Sequence, residues 1–233
     1  MTEKEAYVYR VFQTVADGYD RANRRISLGA DLRWKKAAAT TLCEGLPAAP
    51  ELLDLGCGTG DMLLLLFSLC PNARLTGMDF SPNMLKAAEE NCSAIPRQRL
   101  RLLQGNAMSL PFDDGSMDGV SISFALRNME DYGQVLQEAV RVLKPGGRLA
   151  VIDSFVPRQR LVLPFYRIYF SGIMPLLGGG LQRRQEYRWL SRSTEQFITL
   201  DELCVLMENV GLQNMQRKTF MLGACACAVG EKG

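Results

Sequence analysis

Apolar positions recur along this chain with two different periods, and the switching between them lays out the fold. Val8, Val11, Phe12, Val15 and Tyr19 fall on one face at helical spacing, so residues 7–19 read as an opening amphipathic helix. Residues 32–43 read as a second. Short apolar runs then alternate with helical segments: strands at 51–53, 73–79, 117–124 and 148–155, and helices at 62–69, 81–91 and 131–143. One further strand ends at Gln104. The helix at 62–69 is apolar all round, as a helix packed between sheet and neighbours should be. This alternation predicts an α/β, Rossmann-like fold with a parallel sheet, in a single domain over 1–233. Residues 1–45 form a helical cap, and 212–220 with 222–229 form a hairpin at the sheet edge.

Between the fifth strand and the last helix, residues 156–198 break the pattern. The runs 161–170 and 173–177 are apolar, but Pro164, Arg167 and Pro175 interrupt them. That argues against a membrane-spanning helix. An apolar lid over a site, a surface resting on lipid and a buried helix pair all fit.

Composition narrows the possibilities. At 233 residues the chain can bury a full core, and its 47% hydrophobic content is globular. Net charge is +2 with basic residues scattered among acids, so nucleic acid is not expected as a partner. Arg97, Arg99 and Arg101 alternate, which on a strand puts them on one solvated face. Seven cysteines without paired spacing point to a reducing compartment. Cys225 and Cys227 share one face of a terminal strand as packed thiols, and no metal site is expected. The charged opening Met1-Thr2-Glu3-Lys4-Glu5 is no leader, so a cytoplasmic protein is expected. There is no histidine, which removes the usual general base.

The densest chemical signal is Asp54-Leu55-Gly56-Cys57-Gly58-Thr59-Gly60, between a strand and a helix. Such a loop allows close backbone approach and aims helix N–H groups at a ligand. The position where a dinucleotide fingerprint needs its third glycine is Asp61, an acid that would repel a pyrophosphate. The form D-x-G-x-G-x-G resembles motif I of class I S-adenosyl-L-methionine (SAM) methyltransferases, whose ligand carries an ammonium and a sulfonium but no phosphate. Asp79 ends the next strand about 20 residues on, where a carboxylate accepts ribose hydroxyls. It could equally cap the helix that begins at Ser81-Pro82. Asn106 and Ala107 follow the third strand, as adenine contacts or as a polar turn.

Several stretches together resemble the ubiquinone/menaquinone biosynthesis C-methyltransferase family. They are Phe12 with Val15-Ala16-Asp17-Gly18-Tyr19-Asp20, Asn23, Ser27-Leu28-Gly29, Trp34-Lys35, Ile122-Ser123-Phe124-Ala125-Leu126-Arg127-Asn128, Arg141 to Arg148, Met174-Pro175 and Tyr187-Arg188-Trp189-Leu190. The resemblance implies a seven-stranded sheet with its last strand antiparallel, and SAM as methyl donor. It implies transfer to a ring carbon of a lipophilic, prenylated quinol such as demethylmenaquinol, with peripheral contact at the inner face of a membrane; it sets no oligomeric state. Cofactor candidates are Tyr19, Asp54, Gly56, Cys57, Gly58, Thr59, Gly60, Asp79, Phe80, Met84, Asn106, Ala107 and Ser123. Substrate candidates are Phe124, Arg127, Asn128, Phe165 and Tyr169, with Asn128 also capping the following segment. For catalysis Arg127 comes first, as an electrostatic stabiliser or a closing salt bridge, with Asp31, Asp153 and Tyr187 behind it.

Two departures from the family stand out. Asp31 occupies a position that is usually histidine, and Gly223-Ala224-Cys225-Ala226-Cys227 replaces an Ala-Leu-His-like stretch. Either the base is not histidine or the acceptor differs. A SAM-dependent methyltransferase of a soluble phenol or other small metabolite is thus a second reading, and a non-catalytic SAM-fold scaffold subunit a third.

Overall fold

The structure, a computed structural model, describes residues 3–15, 19–27, 29–169 and 192–233. Helices α1 (Glu3–Val15), α2 (Tyr19–Ile26) and α3 (Asp31–Cys43) precede the sheet. Strands β1 (Glu51–Leu55), β2 (Arg74–Asp79), β3 (Leu100–Gln104) and β4 (Met117–Ser123) alternate with α4 (Asp61–Leu69), α5 (Pro82–Asn91) and α6 (Tyr132–Val142). Then come β5 (Leu143–Ser154), α7 (Leu163–Ile168), α8 (Leu200–Asn209), β6 (Leu212–Phe220) and β7 (Cys225–Lys232).

The seven strands lie in the order β3-β2-β1-β4-β5-β7-β6. β1 to β5 run parallel, and β7 is antiparallel to both β5 and β6. Strand order reverses between β1 and β4, so the crevice past their carboxyl ends is where such a sheet receives a ligand.

Period-two alternation divides the core. Leu53, Leu55, Leu149, Val151, Ala226 and Ala228 face α6 and α8, meeting Leu136, Leu203 and Met207. Leu52, Ala150, Ile152, Cys225, Cys227 and Val229 face the other way, onto Leu42 of α3 and Leu63 and Leu66 of α4. The two cysteines of β7 are therefore packed thiols on one face.

Local signals set the boundaries. Ser81 caps α5 by accepting from the Met84 N–H at 3.3 Å, with Pro82 in the first turn. Asp131 caps α6 by accepting from the Gln134 N–H at 2.9 Å, so Asn128 is not that cap. The alternating arginines do not share a strand. Pro96 starts a 3-10 turn at Arg97–Arg99, closed by the Arg99 N–H on the Pro96 carbonyl at 2.8 Å, and only Arg101 lies in β3. Among the described residues no helix is long and apolar enough to cross a membrane.

Candidate active site: two clefts divided by Phe124

The glycine loop is pinned to β2 before any ligand is considered. The Gly56 and Cys57 N–H groups both donate to the Met78 carbonyl, at 2.7 and 3.1 Å. Asp79, at the tip of β2, accepts from the Gly58 N–H at 2.8 Å and from the Ser81 N–H at 2.9 Å. Burial raises its carboxyl above the usual range, and the N–H groups of Ser81, Gly58 and Phe80 pull it back. Asp79 thus braces both loop and helix start, while Ser81 is the cap.

Above this brace opens a cleft of about 870 Å³ with its mouth included, the size of a cofactor site. Of the cofactor candidates, Gly56, Gly58, Asp79, Phe80, Met84, Asn106, Ala107 and Ser123 line it. Asn106 also shapes the turn, accepting from the Met108 N–H at 2.9 Å. Asp54, Cys57, Thr59 and Gly60 do not line the cleft, and the first three are buried. Asp54 is 1% exposed, accepts from Ser121 Oγ at 2.6 Å and keeps Oδ2 without a hydrogen-bond partner among the described residues. Burial pushes its carboxyl up to about 7.

Asp61 is not on the cleft wall either. Lys35 donates to it at 3.0 Å and Arg24 lies 4.0 Å away. Its charge is neutralised, so it is not what excludes a phosphate here.

Two observations fit SAM to this cleft. Gly58 has φ +52°, and a Cβ built on it meets no atom within 4 Å, so the side-chain position opens onto space a ligand can fill. Ser123 Oγ is buried on the wall with no hydrogen-bond partner among the described residues.

Val8, Met78, Gly105, Met108, Ala125, Met129 and Glu130 also line this wall without having been legible as lining in the sequence. Val8 comes from α1, which reaches across to α5: Asn83 Nδ2 donates to the Gln13 carbonyl at 3.2 Å, and Tyr9 meets Phe80 edge-on at 5.4 Å. No local pattern announces such a contact.

A second cleft, about 770 Å³ with its mouth, is lined by Asp31, Phe124, Arg127 and Tyr169 among the expected residues. Asn128 lines the first cleft instead. Tyr187 and the side chains of Tyr19 and Phe165 lie outside the described residues. Asn23, Ile26, Ser27, Trp34, Lys35, Ser154, Thr194, Met221, Ala224 and Cys225 were not expected here as lining. Trp34-Lys35 was legible as a motif but not as a wall.

The Arg127 guanidinium forms a buried ion pair with Asp153, and its Nη1 donates to the Phe124 carbonyl at 3.0 Å. Asp153 Oδ2 also accepts the Arg127 backbone N–H at 3.2 Å. Asp153 therefore stands behind Arg127 and not on the cleft wall.

Phe124 is common to both clefts. Its φ is +55°, a left-handed conformation that costs a bulky residue about 1–3 kcal/mol. It is held there by its N–H on the Ile152 carbonyl at 2.8 Å, with the Lys35 ammonium and the Arg127 guanidinium each 5.9 Å from its ring centroid. Phe124 thus forms a wall that the two clefts share, in a left-handed conformation it has in common with Asn214, Met221 and Leu222.

Solved structures share the fold. A SAM-dependent methyltransferase from Thermotoga maritima, described as a possible histamine N-methyltransferase, superposes with TM-score 0.69 at 20% identity, covering 97% of this chain and 100% of that one. A SAM-dependent methyltransferase from Aquifex aeolicus gives TM-score 0.63 at 17% identity, over 91% and 98%. Sequence relatives are nearer. The demethylmenaquinone methyltransferase of Anoxybacillus flavithermus is 38% identical over 98% of this chain and 97% of its own, and that of Listeria welshimeri 37% identical over 100% and 99%. The ubiE/COQ5 methyltransferase family model matches residues 1–232. With a glycine loop pinned by Asp79 and a second cleft behind Phe124, the chain is a SAM-dependent methyltransferase and belongs to the ubiE/COQ5 methyltransferase family.

Proposed function

We propose that this enzyme methylates a ring carbon of a prenylated quinol such as demethylmenaquinol. The observation that carries the proposal is the pair of clefts that share Phe124, one suited to the methyl donor and the other to an aromatic acceptor. The names of the relatives supply the acceptor class.

When bound, SAM supplies an electrophilic sulfonium methyl group. Gly56, Gly58, Asp79, Asn106 and Ser123 would hold it. In the second cleft, Arg127 and Lys35 present two cations whose carboxylate partners, Asp153 and Asp61, lie off the cleft wall. Such fixed charges favour the phenolate form of a quinol, whose ortho carbon is the nucleophile, without reorganising during reaction. Trp34, Phe124 and Tyr169 give the cleft an aromatic lining that orients a ring and excludes water.

The insertion 156–198 serves as a lid in this proposal, its residues 170–191 lying outside those the structure describes. Tyr169, at the end of α7, donates its hydroxyl to the Ile26 carbonyl, joining the insertion to α2 beside the cleft. Peripheral membrane contact belongs to the same reading. Met221 lines the second cleft while 52% exposed, and its neighbour Leu222 is 67% exposed, so large apolar side chains stand at the cleft's edge.

The test is transfer of radiolabelled methyl from SAM to short-tailed demethylmenaquinol under reducing, anaerobic conditions. Carbon-bound label in the quinone product is expected. Oxygen-bound label, or transfer to soluble phenols alone, would discard the quinol assignment.

A further inference from the structure

The second cleft contains one acid whose chemistry is unspent. Asp31 is 4% exposed and lines the cleft. Its Oδ1 accepts from Ser27 Oγ at 2.7 Å, and its Oδ2 is buried with no hydrogen-bond partner among the described residues. A buried carboxylate oxygen left unmatched is costly, and a ligand hydroxyl is the natural donor to it.

The bland explanation is that Asp31 serves the start of α3, where a carboxylate complements the helix dipole. The geometry does not favour it. The preceding residue, Ala30, is the N-cap, no side-chain cap bond forms, and a dipole-complementing acid has no need of burial in a cleft. Four other titratable or charged groups line the cleft with Asp31. Lys35 sits one turn along the same helix, Arg127 comes from the turn after β4, Tyr169 from the end of α7 and Cys225 from β7, all on the same cleft wall. Lys35 and Arg127 each have a carboxylate of their own, so Asp31 is left available as an acceptor.

We infer that Asp31 is the proton acceptor for the acceptor hydroxyl, oriented by Ser27. The inference rests on the proposed quinol methylation. The quinol O–H bond breaks and its proton passes to Asp31 Oδ2. The electron pair left on oxygen feeds the ortho carbon, which bonds the methyl carbon as the S–C bond breaks and its pair stays on sulfur. The ring carbon then loses its hydrogen to water as a proton, and Asp31 returns the stored proton to the oxygen, restoring the quinol. One proton is released per turnover.

The test combines turnover with an equilibrium measurement. Asp31→Asn should lower kcat by about 100-fold or more with little change in quinol KM, the usual size for loss of a general base. Asp31→Glu should recover part of the loss. Asp31→His should also recover activity, with its acidic limb moved up toward about 6.5, where imidazole titrates. Ser27→Ala should give a smaller loss in kcat at unchanged melting temperature.

Independently of turnover, a bound nitronaphthol should form its phenolate, read by absorbance, at lower pH in Asp31→Asn than in the wild type. Removing the acid removes a neighbouring negative charge while Lys35 and Arg127 remain. Turnover of Asp31→Asn within a few-fold of wild type, or an unmoved nitronaphthol titration, overturns the inference. If the wild type methylates no quinol, the quinol reading falls, and the nitronaphthol titration still decides whether Asp31 faces an acceptor hydroxyl.

Discussion

Two glycines of one loop have different reasons to be glycine, and the difference is measurable. A Cβ on Gly58 points into the open cleft, whereas a Cβ on Gly60, at φ +92°, would stand 2.5 Å from Cys92 Sγ on the buried side of the loop. Gly58→Ala should weaken SAM binding by tenfold or more while costing only about 1–2 kcal/mol of stability for its left-handed backbone. Gly60→Ala should act chiefly on the fold, lowering the melting temperature by several degrees more than Gly58→Ala. Calorimetry of binding and of unfolding separates the two, and equal effects on both would contradict the assignment. The loop and Asp79 were legible in the sequence because glycine spacing and a strand-end acid are local patterns. Which loop residues face the cleft was not, since that depends on Cys92 and Ala125 packing from elsewhere.

Asp54 supplies a second residue-level prediction. Burial raises its carboxyl to about 7, against the lowering effects of the Ser121 hydrogen bond and the Lys35 charge. Folding therefore takes up a proton between the ordinary carboxylate range and about 7. The stability this group contributes is present at low pH and is lost as pH rises through about 7. The wild type should lose on the order of a few kcal/mol relative to Asp54→Asn between about pH 4 and about pH 8, read by denaturant unfolding. A flat difference across that window would show that burial does not dominate at this site.

Among the elements, α1 matters most for the first cleft although it lies far away in sequence. Its Val8 lines the cleft, its Tyr9 packs on Phe80, and its Gln13 carbonyl accepts from Asn83 at the start of α5. Tyr9→Ala should raise the SAM dissociation constant several-fold, with about 1–2 kcal/mol of destabilisation from the lost edge-on pair and the ring area it buries. Loss of global stability without loss of affinity would make α1 a plain structural helix.

The sheet's elements were readable from their alternation, down to the two faces of β7. The sequence could not show that the amphipathic face of α1 covers a ligand cleft. Nor could it show that Asp153 of β5 stands behind Arg127, because that pairing joins positions 26 residues apart through sheet register. The arginine run 97–101 misled for the opposite reason: its alternation is genuine, but Pro96 closes a turn before the strand begins.

For the whole molecule, the proposed reaction makes the second cleft the entrance for a lipophilic acceptor. Met221 and Leu222 both adopt left-handed backbone, at φ +46° and +53°, while exposing large apolar side chains beside that cleft. Leu222→Asn should keep or improve stability, because asparagine tolerates that conformation. It should reduce sedimentation with phospholipid vesicles several-fold. Unchanged vesicle binding would remove this turn from the membrane contact.

In the proposed reaction donor and acceptor occupy separate clefts on either side of Phe124. The most direct measurement is a crystal structure with S-adenosyl-L-homocysteine and a short-tailed demethylmenaquinol analogue. The nucleoside should lie against Gly58, Asp79 and Asn106, and the quinol ring against Asp31, Lys35 and Arg127, with the Phe124 ring between them. Both ligands on one side of Phe124, or a ring bound away from Asp31 and Arg127, would contradict it.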